Sequence, residues 1–219
     1  MLPLNSIRYY GILDTGYVSA SDWLAKYDAL ERGGAGIIQI RAKTESTQQR
    51  AELVKRVVEH RSKKAAPIDQ QPHLIVNDDL DLCLAHPGLG LHVGQDDLPA
   101  ATARERLGPD RLLGLSTHSF EQAKAAMDLG PSTLSYFAVG PVFPTQTKPT
   151  YQAVGLQLVA EVAAEAPELP FFCIGGINRQ NIPQVIAAGA KRVVTVSDTL
   201  CDEDTAQAVA KSIQLLGQA

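Results

Sequence analysis

The segment Gln39-Ile40-Arg41-Ala42-Lys43 carries two cations two residues apart. In a strand, that spacing turns Gln39, Arg41 and Lys43 to one face and Ile40 and Ala42 to the other. Two cations on one inward face imply an anion between them: arginine grips phosphate through two nitrogens, whereas lysine acts as a point charge. Asn77-Asp78 and Gln95-Asp96-Asp97 supply carboxylates from two neighbouring segments, so that Asp78 and Asp97 could converge on one cation. Oxygen ligands without a His or Cys cluster suit Mg2+, which takes one or two carboxylates and fills its shell with water and substrate phosphate. A third group, Gly140-Pro141-Val142-Phe143-Pro144-Thr145-Gln146-Thr147-Lys148, offers hydroxyl and ammonium donors on a proline-stiffened loop. Gly175-Gly176 and Val196-Ser197 stand where backbone N–H groups could hold a second anion, although a tight turn would need the same glycines. These residues point to phosphate handling at two places, one of them with a metal.

Ser116, in Gly114-Leu115-Ser116-Thr117-His118, could be a nucleophile only with a base at hand, and His118 is the nearby candidate in sequence. No glycine-flanked elbow or oxyanion motif accompanies it, so a hydroxyl donating to phosphate is the simpler reading. His92 and His118 read as packing or hydrogen-bonding residues. Cys83, Cys173 and Cys201 are odd in number and lack metal-ligand spacing, which makes them reduced, mostly buried thiols.

Eight short apolar runs place these groups: Tyr9 to Leu13, Ile37 to Ile40, Leu74 to Val76, Leu91 to Val93, Leu112 to Leu115, Tyr136 to Val139, Phe171 to Ile174 and Val193 to Val196. Between them lie helical patterns, such as Trp23, Tyr27 and Leu30, or Leu53, Val54, Val57 and Val58 opposite charged residues. Ser119-Phe120-Glu121-Gln122 has the form of a capping box, opening a helix that ends near Gly130. Near-continuous apolar strands alternating with helices predict a parallel sheet covered by helices. Eight such units in 219 residues favour a single (β/α)8 TIM barrel spanning residues 1–219. Every polar cluster then lies at a strand's C-terminal end, the face that carries barrel chemistry. Ser62 to Pro72 reads as an extended loop on the opposite face.

With 45% hydrophobic residues, 20% charged residues and a net charge of -4, the chain reads as a globular protein with a sizeable core and as no general nucleic-acid binder. No signal-like or membrane-length segment stands out, so a cytoplasmic location without membrane attachment is expected. Exposed apolar residues on the outer helices would mark a homo-oligomer surface.

In this order, the segments Tyr10 to Asp14, Ile38 to Lys43, Leu74 to Asp81, Leu91 to Pro99, Gly114 to Ser119, Val139 to Lys148, Ile174 to Ile177 and Val194 to Ser197 resemble the thiamine-phosphate synthase family, over nearly the whole chain. The resemblance implies a Mg2+-dependent transferase. It joins the small molecules hydroxymethylpyrimidine diphosphate and hydroxyethylthiazole phosphate and releases pyrophosphate. It implies that Gln39, Arg41, Lys43, Asn77, Ser116 and Lys148 hold the pyrimidine diphosphate, with Ile40 and Ala42 in the same binding segment and Asp78 and Asp97 on Mg2+. Arg41, Lys43, Ser116 and Lys148 are the implied catalytic residues. Thr145, Thr147, Gly176, Val196 and Ser197 would hold the thiazole phosphate, with Gln146 among the loop's binding residues. Three features depart from the family pattern: Ala42 replaces a usual glutamate, Asp79 stands where a basic residue is common, and the Ser62 to Pro72 loop is longer. A related thiazole tautomerase would instead need a general base such as His118, and a non-catalytic sensor would be expected to have lost a metal carboxylate or a cation. The joint presence of Arg41, Lys43, Asp78, Asp97 and Lys148 favours the synthase.

Overall fold

The computed structural model describes residues 3–145 and 152–217. Eight parallel strands pair in chain order and close, β1 against β8, into a barrel. They are β1 (Tyr9–Asp14), β2 (Ile37–Arg41), β3 (His73–Asn77), β4 (Gly90–Val93), β5 (Leu113–Thr117), β6 (Tyr136–Val139), β7 (Phe171–Cys173) and β8 (Val193–Thr195). Each apolar run expected from the sequence became a strand. The covering helices are α1 (Trp23–Arg32), α2 (Thr47–Ser62), α3 (Leu80–Ala85), α4 (Ala100–Leu107), α5 (Phe120–Thr133), α6 (Gly155–Ala164), α7 (Ile182–Ala187) and α9 (Thr205–Leu216), with the single-turn α8 (Ser197–Leu200) directly after β8.

The strands are apolar on both faces because both are buried. Leu13, Ile38, Ile40, Val76, Val93 and Phe137 point outward and pack under the helices, whereas Tyr10, Ile12, Ile37, Ile75, Tyr136, Phe172 and Val194 fill the barrel. Three interior rings, Tyr10, Tyr136 and Phe172, meet edge to face with centroids 5.5 to 5.8 Å apart, the geometry that aromatic quadrupoles favour. Above this packed floor a cavity opens at the strands' C-terminal ends.

Local signals account for several helix boundaries. Ser119 caps α5 by accepting the Gln122 N–H at 3.2 Å, but the Gln122 side chain accepts from the His118 N–H rather than closing the box on Ser119. Gly130, at φ +65°, interrupts α5 where the sequence placed its end, and Pro131 follows. A complete reciprocal box forms instead at Ser46 and Gln49, starting α2. The Ser62 to Pro72 segment joins α2 to β3 and is anchored by buried Gln71, which accepts from Arg61 Nε at 2.9 Å and donates to the Ala66 carbonyl at 2.7 Å.

Among the described residues, the exposed large hydrophobic is Ile68, at 57%, in the segment between α2 and β3. Cys83 and Cys173 are buried free thiols and Cys201 is an exposed one. No helix among the described residues is long and apolar enough to cross a membrane.

Candidate active site

Strand alternation brings the cationic segment to the mouth as expected. Gln39 and Arg41 line the central cavity at the C-terminal end of the barrel, and Lys43 lines a second cavity beside it. Ile40 and Ala42 are buried on the outward face against the helices, so neither side chain reaches the mouth. The missing glutamate at position 42 therefore removes no group from the cavity itself.

Arg41 does not stand alone. Its Nη1 lies 2.6 Å from Oδ2 of Asp14, a carboxylate only 2% exposed at the end of β1. The other Asp14 oxygen accepts the Gly16 N–H at 2.8 Å, fixing the carboxylate and through it one edge of the guanidinium. Asp14 was not singled out in the sequence as a functional residue. Its position just past an apolar strand, register-paired with Arg41, is the signal that could have found it.

The second cavity is lined by Lys43, Asn77, Asp78, Asp96 and Asp97 among others. Lys43 Nζ sits 2.8 Å from Asp78 Oδ2. Asp78 occupies the left-handed region at φ +60°, a conformation aspartate tolerates better than most side-chain-bearing residues. Asp97 accepts the Gly94 N–H at 2.7 Å, yet burial and the neighbouring Asp78 carboxylate together hold its carboxyl above the usual carboxylate range. The two carboxylates of β3 and β4 thus converge. Asp79 instead caps α3, accepting the Leu82 N–H at 3.0 Å, and pairs with Arg50 at 3.0 Å. In this way a cation from α2 answers the acid that departs from the family pattern.

Ser116 lies on the wall common to both cavities. Its hydrogen-bonding partner is His92 Nε2 at 2.9 Å, not His118, whose Nδ1 faces the Gly140 carbonyl. Beyond His92 a buried chain runs across the barrel: His92 Nδ1 to Tyr136 Oη at 3.1 Å, Tyr136 Oη to Tyr10 Oη at 3.2 Å, and Tyr10 Oη to Gln39 Nε2 at 2.8 Å. Burial raises both tyrosine hydroxyls above their ordinary range, so they stay protonated.

The far rim is built from the loops after β6, β7 and β8. Val142 N–H donates to the Ile174 carbonyl at 2.8 Å and Phe143 N–H to the Gly175 carbonyl at 2.9 Å, laying one loop along the other. A Cβ on Gly140 would lie 2.1 Å from the Ile174 carbonyl oxygen, and one on Gly175, at φ +98°, would lie 2.3 Å from Pro141 Cβ. Both glycines are therefore required by this packing. Thr145, Gly176, Val196 and Ser197 line the central cavity on this side. Gln146, Thr147 and Lys148 lie outside the described residues.

A family model described as thiamine monophosphate synthase matches residues 9–199. The chain belongs to the thiamine monophosphate synthase family. A thiamine-phosphate synthase from Acidothermus cellulolyticus is 40% identical over 190 residues, 87% of this chain and 86% of the relative. One from Shouchella clausii is 36% identical over 202 residues, 92% of each. Among solved structures, a thiamine phosphate pyrophosphorylase from Pyrococcus furiosus has a TM-score of 0.78 at 26% identity, covering 98% of this chain and 97% of that one. The family assignment makes this barrel an enzyme, a transferase of thiamine biosynthesis that forms thiamine phosphate.

Proposed function

We propose that the two adjoining cavities divide the reaction between them. The second, acidic cavity takes the diphosphate of hydroxymethylpyrimidine diphosphate. The central cavity holds the two rings, with the phosphate of hydroxyethylthiazole phosphate on the rim formed by Thr145, Gly176, Val196 and Ser197. The observation that carries this reading is the shared wall: Asn77, His92, Ser116 and His118 line both cavities, so a leaving group in one and a ring in the other would be in contact.

The donor set fits Mg2+. Two carboxylates lie side by side, and one of them is held above its usual range by the other and by burial. Two carboxylates completed by water and substrate phosphate make up an ordinary Mg2+ shell. Asp78 and Asp97 would hold the ion, which when bound supplies positive charge against the diphosphate.

In this reading the bond from the pyrimidine's benzylic carbon to the diphosphate oxygen breaks first, and its electron pair leaves with pyrophosphate. The lone pair of the thiazole nitrogen then forms the new C–N bond with the resulting cation. Arg41, Lys43 and Ser116 donate to the departing oxygens, and Lys148, which follows β6 in the sequence, would join them. Gln39 and Asn77 orient the pyrimidine diphosphate, while Thr147 would hold the thiazole phosphate and Gln146 would bind substrate. No enzymic nucleophile is required, and the aromatic floor of Tyr10, Tyr136 and Phe172 keeps water from beneath the cation.

The test is formation of thiamine phosphate from both substrates, with and without Mg2+, by the wild type and by Asp97→Ala. The variant is expected to lose about 10²-fold or more in kcat while its circular dichroism and melting remain those of a folded barrel. Wild-type turnover by Asp97→Ala, or turnover indifferent to Mg2+, would overturn the reading.

A further inference from the structure

The loop after β7 turns on itself before reaching α7. Asn178 Oδ1 accepts the N–H groups of Gln180 at 2.9 Å and Asn181 at 3.1 Å, and Asn181 Oδ1 accepts the Asn178 N–H at 2.8 Å. The same Asn181 donates through Nδ2 to the Gly176 carbonyl at 2.9 Å, fixing the backbone on the phosphate rim. This locked turn projects Arg179 sideways onto α8. Arg179 Nε donates to Asp198 Oδ2 at 3.0 Å, Nη2 to the Asp198 carbonyl at 3.2 Å, and Nη2 also to Asp202 Oδ2 at 2.8 Å. The guanidinium thus holds both ends of the turn that begins at Ser197. Arg179 does not line the mouth cavity.

We infer that Arg179 is a positioning residue for thiazole phosphate binding: by clamping Asp198 and Asp202 it holds Gly176 and Ser197, on two separate loops, at one fixed separation. The inference rests on the assignment of the thiazole phosphate to this rim. A planar fork reaching two carboxylates and a carbonyl is a task for arginine, which lysine cannot duplicate. Thr199 and Leu200 bury the inner side of α8, so the clamp acts on its outer side, where Asp198 and Asp202 lie.

Steady-state kinetics with each substrate varied in turn tests this. Arg179→Met is expected to raise KM for thiazole phosphate roughly tenfold, in line with the sensitivity of bound phosphate to small misplacements, while kcat and KM for the pyrimidine diphosphate stay at wild-type values. Asp198→Asn should shift the same KM in the same direction, and the double variant should be no worse than Arg179→Met alone. Should Arg179→Met fail to fold, Arg179→Lys reads the same parameter with the charge retained. Ser197→Asp separates the inference from the site beneath it, because a carboxylate suits a helix start yet repels phosphate. If Ser197→Asp raises KM for thiazole phosphate and the Arg179 variants do not, the clamp is refuted and the rim stands. If Ser197→Asp leaves that KM unchanged, the phosphate binds elsewhere and the clamp falls with it. Equal rises in both KM values for the Arg179 variants would also overturn the inference, as a general loosening of the barrel mouth.

Discussion

Lys43 Nζ and Asp78 Oδ2 stand 2.8 Å apart, so a cation proposed for the diphosphate and a carboxylate proposed for the metal neutralise one another across β2 and β3. A divalent ion and the lysine then compete for one carboxylate until diphosphate arrives to occupy the lysine. Lys43→Ala should therefore bind Mn2+ or Mg2+ more tightly in the absence of substrate, while kcat/KM for the pyrimidine diphosphate falls by about 10²-fold. Calorimetric titration of the ion into the free enzyme, beside the turnover assay, checks both. Weaker ion binding by Lys43→Ala would show that the pair does not compete.

Asp97 gives a stability prediction with a definite sign. Its carboxyl is raised in the folded state by burial and by the adjacent Asp78. A raised carboxyl binds its proton more tightly folded than unfolded, so its contribution is most favourable below the unfolded value and is lost as pH rises through the folded one. Above the folded value, the ionised Asp97 therefore opposes folding. Asp97→Asn, whose amide can donate to Asp78, should melt higher than the wild type at neutral pH without metal, with the gain shrinking as pH falls through the carboxylate range. The same variant should be nearly inactive. Thermal melts across pH measure the first and turnover the second.

Asp14 and Arg41 form the most buried ion pair of the mouth, at 2.6 Å with side chains 2% and 14% exposed. Removing the acid strands the guanidinium, and breaking such a pair costs about 3 kcal/mol. Asp14→Ala should lose about that much in urea denaturation. Asp14→Asn, which keeps the shape and can still accept from Gly16, should lose less stability but still raise KM for the pyrimidine diphosphate, because Arg41 is no longer held by charge. A KM unchanged in Asp14→Asn would mean that Arg41 is oriented without its partner.

The barrel was legible because each strand is a short apolar run and each polar cluster follows one. Period-two alternation placed Gln39, Arg41 and Lys43 inward and Ile40 and Ala42 outward, as the structure has them. What the one-dimensional pattern could not carry was partner choice between strands. Ser116 sits two residues from His118, yet its partner is His92, because β4 and β5 lie side by side with His92 opposite Gly114 and the ring reaches along to the serine. Asp14 escaped for the same reason, its role being set by register with Arg41 rather than by its own neighbours. Gln122 shows the converse: the capping pattern marked the helix start, but the backbone turned the glutamine to His118.

One arrangement of the buried chain from Gln39 to Ser116 uses every hydroxyl as both donor and acceptor. Gln39 Nε2 donates to Tyr10 Oη, and with Tyr10 donating to Tyr136, Tyr136 can donate to His92 Nδ1. In that arrangement His92 would carry its hydrogen on Nε2, facing Ser116 Oγ, and leave the serine proton free to point into the mouth. Tyr136→Phe removes the middle hydroxyl and leaves Tyr10 and His92 Nδ1 without it in a buried setting. The loss should be about 1 to 3 kcal/mol in urea denaturation, the cost of unsatisfied buried polar groups. If the chain orients the serine, Tyr136→Phe should also lower kcat, by less than Ser116→Ala does, and the double variant should match Ser116→Ala. Additive losses in kcat would show instead that Tyr136 acts independently of the serine.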